Sequence, residues 1–187
     1  LPVAEEVPVA YVDREWFELL GVGVGGGWPR SDTAAGRDPV PIAIVSAAYA
    51  RTRFGGAGDP VGRQVRVRDA TFTIVGVAPE RFTGVDLEPT DIWIPLEFYA
   101  GPWWFRGDWR NAPNLQEFRV VARLPEGNIL EAQASGTVAL RRAYEGTEWA
   151  AFARNDTVSQ ATVGPLAIAR GPGERRAEFS IATRLLV

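Results

Sequence analysis

Residues 54–79 read FGGAGDPVGRQVRVRDATFTIVGVAP, and this stretch decides the fold. It spells a helix end, a turn and a β-hairpin, and it holds no group suited to catalysis. Upstream, Ser46 is a predicted N-cap, and Ala47, Ala48 and Ala50 favour helix. Gly55 suits the left-handed position that closes such a helix. Asp59-Pro60 signals a turn, because proline fixes φ and removes a donor. From Gln64 to Arg68 polar and apolar residues alternate, with Val65 and Val67 on one face and Gln64, Arg66 and Arg68 on the other. That is the period of a half-buried strand. Asp69-Ala70 allows a turn, and Thr71 to Val77 is the β-branched and aromatic return strand. Gly76 marks either a bulge or a close backbone approach. Phe72 and Val75 have odd spacing and cannot share a face of an unbroken strand, so the expected buried pair is Phe72 and Ile74.

The surroundings are those of a globular chain. Its 187 residues are 46% hydrophobic, enough to bury a core, and they fit one domain or two small ones. The formal net charge is −3, without blocks of like charge, which argues against a nucleic-acid surface. Cys, His, Met and Lys are absent, and all 20 basic residues are arginine. The chain therefore offers no thiol nucleophile, imidazole base, Schiff-base lysine or soft metal ligand. No run of about 18 apolar residues and no signal peptide is present. The chain begins at Leu1-Pro2, without Met, as an internal fragment would. Residues 181–187 turn apolar, either as the lead-in to a membrane helix or as a final strand.

Elsewhere the pattern is mixed. Val7–Val12 is a predicted strand, Asp13 a predicted cap for a helix over Arg14–Leu20, and Gly21 its end. Gly23–Asp38 reads as a loop. Pro41–Val45 is a buried strand, and Pro79–Pro89 is irregular. Asp91–Leu96 is a strand whose Pro95 suits an edge or terminal position. Glu117–Leu124 is a further strand, and Pro125-Glu126-Gly127 a turn. Asn128 and Glu131 form a capping box opening a helix through Tyr144, with Leu130, Ala134, Val138 and Leu140 on its buried side. Ala161–Ala169 is a last strand. Strands outnumber helices, so the class is α+β.

Three constellations invite a functional reading. Gly21–Gly27, GVGVGGG, superficially resembles a phosphate loop, but it lacks the Gly-Lys-Ser/Thr ending and follows a helix. It reads as a flexible loop, and no nucleotide binding is expected. Asp86, Glu88 and Asp91 are carboxylates in one loop region, the arrangement a hydrolase would need, though charged loop residues are usually solvated. Trp103, Trp104 and Trp109 cluster in YAGPWWFRGDWRNAP. They serve either as a hydrophobic pin for a long loop or as a ligand or partner surface. At least one is expected to be buried and another to remain exposed as a contact. Arg66 and Arg68 form either a solvated strand face or an attractor for anionic headgroups or an acidic partner.

Taken in order, several segments resemble the periplasmic core domain of MacB-type ABC transporter permeases. The likeness is strongest to the long permease family found in duplicated form in Acidobacteria and their relatives. The segments are YVDREWFELLG, PIAIVSAAYARTRFGG, DPVGRQVRV, FTIVGVAPERFTG, DIWIPL and FRVVARLPEGNILEAQASGTVALRRAY. The likeness spans Val9 to Tyr144. Its signature hairpin residues are Phe54, Gly55, Gly56, Asp59, Pro60, Gly62, Phe72, Gly76 and Pro79. The chain departs from the pattern at Gly27-Trp28-Pro29-Arg30-Ser31-Asp32, where the family has a Gly-Arg-x-Phe element.

The resemblance implies a mixed-sheet α+β domain of two subdomains. One is a porter-like layer from 1–40 and 110–180, with its N-terminal part incomplete. The other is an inserted α/β subdomain from 41–109, with 181–187 leading toward a membrane helix. It implies a non-catalytic extracytoplasmic domain, without cofactors, on the periplasmic face of the bacterial inner membrane. Such a domain couples ATP-driven motion of membrane helices to an extracytoplasmic substrate or partner. Its partners would be the membrane helices of the full-length permease, a cytoplasmic ATPase and a membrane-fusion or other periplasmic protein, but not nucleic acid. The competing reading of the same residues is a ligand-binding module that takes sugar or lipid through the tryptophan loop.

Overall fold

The computed structural model describes residues 7–25, 40–55, 58–86, 88–100, 107–109, 119–124, 128–145, 160–164 and 166. The chain divides into two compact units, Leu1–Tyr99 with Ile168–Arg176, and Ala100–Ala167 with Ala177–Val187. The class is α+β, as the sequence predicts.

In the first unit five strands form one mixed sheet: β1 (Val9–Val12), β2 (Ile42–Val45), β3 (Gln64–Val67), β4 (Ala70–Val77) and β5 (Ile92–Pro95). The spatial order is β1-β5-β2-β4-β3. β1 runs parallel to β5 and β2 parallel to β4, while β2–β5 and β3–β4 are antiparallel. β1, from before residue 40, and the strands from 41–109 thus share one sheet.

Both central strands are buried at every position because the sheet is covered on two sides. On one side Ala43, Val45, Val65, Phe72, Ile74, Ile92 and Ile94 pack together beneath Tyr49, Ala50 and Phe54 of helix α2 (Ala47–Phe54). On the other, Val12, Ile44, Ala78, Phe82 and Trp93 gather around Phe17 of the short helix α1 (Trp16–Leu19). The wholly buried Trp93 ring meets Phe17 edge-on at 5.7 Å and Phe82 at 5.5 Å. Each large side chain so buried contributes roughly 1.5–3 kcal/mol.

The hairpin follows its sequence signals. Phe72 and Ile74 lie on the same buried side, as expected, and Val75 packs with the opposite cluster. Alternation along the strand places them so, and a bulge then returns Val77 to the Phe72 side. Ala43 pairs with Ile74 but Ile44 with Gly76, so Val75 is the extra residue of a bulge beside Gly76. The tight turn is Arg68-Asp69, with Arg68 at φ 52°, one residue earlier than expected.

β5 is interior, between β1 and β2, and Pro95 takes the terminal one of its two expected positions, as the last residue of the strand. Three expectations need correction. Asp13 does not cap α1: Glu15 holds that position without a side-chain bond, and Asp13 instead offers its carbonyl to the Trp16 amide. Residues 119–124 form no strand and are mostly exposed, Val120 among them.

The third concerns the long helix α3 (Ile129–Glu145) of the second unit. Leu140 is buried, but Leu130, Ala134 and Val138 are exposed. Those three repeat every fourth residue, whereas Leu140 lies about 200° around the helix from Val138, so the four cannot share a face. The packed side carries Gly136, Thr137 and Leu140. There Thr137 Oγ1 accepts the Ala161 amide at 3.0 Å and donates to the Gln133 carbonyl at 2.8 Å.

Candidate functional site

The helix α2 and the hairpin after it form the best-defined constellation, and each signature residue has a local task. Ser46 caps α2 by accepting the Tyr49 amide at 2.9 Å. The same hydroxyl donates to Asp91 Oδ1 at 2.7 Å, and the Ser46 amide donates to the Asp91 carbonyl at 2.8 Å. Gly55 ends the helix at φ 74° and ψ 16°, the left-handed geometry its sequence position predicts. Asp59 accepts the Val61 amide at 2.9 Å, holding a turn in which the buried Pro60 carbonyl receives the Arg63 amide. Gly62, at φ 86°, donates to the Ile74 carbonyl at 2.8 Å. Phe72 is 1% exposed and meets Phe98 edge-on at 5.1 Å. Pro79 is exposed, and its carbonyl takes the Phe82 amide. Gly56 lies outside the described residues.

Sequence reasoning missed how Phe54 is used. The Arg63 guanidinium sits 5.1 Å from the centre of its ring, a cation–π contact. Gly58 makes room for it, since a Cβ there would lie 2.9 Å from that guanidinium. The Ser46–Asp91 bond was also missed; a buried cap serine leaves room for a second partner, but nothing in the spacing names Asp91.

Two of the three loop carboxylates have defined surroundings. Asp91 is bonded to Ser46, and Glu88 is exposed. Among the described residues no three of His, Cys, Asp and Glu group as metal ligands would. The Asp13 carboxyl is raised above 3.8, first by partial burial and then by the neighbouring Glu15 and Glu97 charges. Glu97 is itself bridged by Arg14 at 3.1 Å.

The glycine loop shows its use in its first half. Val22 and Val24 pack under the sheet, and Gly25 exchanges two 3.3 Å backbone hydrogen bonds with Val77. Gly26 and Gly27 lie outside the described residues, as do Trp103 and Trp104. Trp109 is half-buried in the second unit. No helix among the described residues is long and apolar enough to cross a membrane.

Comparison with known proteins places this geometry. The model of the MacB-like periplasmic core domain family matches residues 2–140. Among solved structures, the chain is similar to the periplasmic region of MacB from Actinobacillus actinomycetemcomitans, at 12% identity and a TM-score of 0.36. That match covers 48% of this chain and 37% of the other. It is also similar to a domain of a putative permease protein from Porphyromonas gingivalis, at 18% identity and a TM-score of 0.45, over 75% of this chain and 60% of that one. The chain thus spans less than two thirds of either solved neighbour. No curated protein matches it. With the family model extending over the sheet, the hairpin and most of α3, the chain belongs to the family of MacB-like periplasmic core domains of ABC transporter permeases.

Proposed function

We propose that this chain is a non-catalytic coupling domain. It would link ATP-driven movement of the permease's membrane helices to a substrate or partner outside the cytoplasm. Family membership over residues 2–140 carries this reading. The construction of the first unit supports it. A sheet covered on both faces, with α2 fastened to β5 through Ser46 and Asp91, moves as one body. Such a body transmits force without deforming, because packed cores are stiff.

In this reading residues 41–109 are the inserted α/β subdomain, to which β1 adds a strand, and 110–180 belong to the porter-like layer. Residues 181–187 lead toward a membrane helix at the periplasmic face of the inner membrane. The ATPase is a separate cytoplasmic component, and a membrane-fusion or other periplasmic protein is the outer partner. Trp103, Trp104 and Trp109 form part of the contact with that partner.

The test is excision. Residues 7–166 of the full-length permease are replaced by a Gly-Ser linker and the complex is reconstituted with its ATPase. ATP hydrolysis should persist while transport or mechanical output is lost. Undiminished output would remove the coupling role.

A further inference from the structure

We propose that the free edge of β3 binds an acidic, extended segment of a partner protein by strand addition. Among the described residues β3 is the last strand of the sheet and pairs only with β4. The Arg63 carbonyl accepts the Ile74 amide at 2.8 Å, and the register continues as Val65↔Phe72 and Val67↔Ala70. Antiparallel pairs alternate in bonding, so Val65 and Val67 bond inward to β4. Gln64 and Arg66 then turn their amide and carbonyl groups outward. Both residues are exposed. An incoming strand satisfies such groups, and a lipid headgroup does not.

The charge on this edge selects the occupant. Arg63, Arg66 and Arg68 are all exposed, and none has an ion-pair partner among the described residues; Asp69 is the only acid in the same stretch. Two of the three are already held in place. Arg63 rests on Phe54, and Arg66 Nε donates to the Arg68 carbonyl at 3.3 Å, leaving its two Nη groups for a carboxylate. Ordering a guanidinium beforehand lowers the entropy cost of binding. A second copy of β3 would bring arginine against arginine, which is unfavourable across a strand pair. Along an added strand, side chains alternate between the two faces. One face meets Arg66 and the other meets half-buried Val67, with Arg63 at its far end, so the fitting segment alternates carboxylates with apolar residues. This surface stands whether or not the chain drives transport.

The probe is a synthetic peptide of about ten residues alternating Glu and Val, with a Lys/Val peptide and phosphatidylglycerol vesicles as controls. The readout is amide hydrogen exchange in the 187-residue chain, resolved by NMR. With the Glu/Val peptide, the Gln64 and Arg66 amides should exchange at least roughly tenfold more slowly. The Lys/Val peptide and the vesicles should leave them unchanged. Reversing Arg63→Glu and Arg66→Glu together should abolish the protection in a chain that remains folded. If that double variant does not fold, Arg66→Gln should weaken the protection several-fold. Lack of protection at millimolar peptide, equal protection by the Lys/Val peptide, or protection by vesicles instead would each overturn the proposal.

Discussion

Ser46 Oγ donates to Asp91 Oδ1 at 2.7 Å while accepting the Tyr49 amide at 2.9 Å, so one buried hydroxyl both caps α2 and ties it to the start of β5. Removing it should cost twice. Loss of a cap costs about 1 kcal/mol, and loss of a second buried bond about 1 kcal/mol more. Ser46→Ala should therefore lower unfolding free energy by about 2 kcal/mol in urea denaturation. A loss under about 0.5 kcal/mol would show that the link does not hold the helix.

Phe72 tests the hairpin core. Its ring is 1% exposed and in contact with Phe98, so Phe72→Ala should cost about 3–5 kcal/mol. Denaturation showing less than about 1 kcal/mol would place the ring outside the core.

Gly136 tests the packing of α3. In an exposed helix, Gly→Ala stabilises by about 1 kcal/mol. Here the new Cβ would lie 3.0 Å from the Ala161 Cβ. Gly136→Ala should thus give no gain, or a loss. A full gain of about 1 kcal/mol would mean that residue 161 does not rest on the helix.

Asp13 sets a pH dependence. Its carboxyl is raised above 3.8 in the folded chain by partial burial and the Glu15 and Glu97 charges. The folded state therefore holds this proton more tightly than the unfolded state. Its contribution is most favourable below pH 3.8 and declines as the pH rises from there through the folded value. Asp13→Asn should raise the thermal midpoint slightly at pH 7 and leave it nearly unchanged at pH 3. An equal rise at both values would assign the effect to something other than ionisation.

Much of the first unit was legible because its signals are local. The Ser46 cap, the Gly55 stop and the alternation through Val65 and Val67 each depend on a few neighbouring residues. Gly76 signalled either a bulge or a close backbone approach, and the register shows the bulge. What was not legible depends on distant partners. The interior place of β5 is set by β1 and β2 pairing on either side of it. The buried face of α3 is chosen by Ala161, which Thr137 and Gly136 receive, and not by the apolar Leu130 and Val138. Of the candidate site, the hairpin residues were legible as structural parts. The Arg63–Phe54 contact was not, because a cation–π pair leaves no spacing rule in the chain.

The most direct test of the coupling role uses spin labels on introduced cysteines, which are unique within these 187 residues and elsewhere require removal of native thiols. In the full-length permease with its ATPase, one spin label at Asp69→Cys on the hairpin tip is paired with another on a flanking membrane helix. Double electron–electron resonance then measures their separation with and without ATP. The account predicts that the distance distribution shifts when ATP is bound and returns after hydrolysis. An unchanged distribution in a complex that is hydrolysing ATP would contradict it.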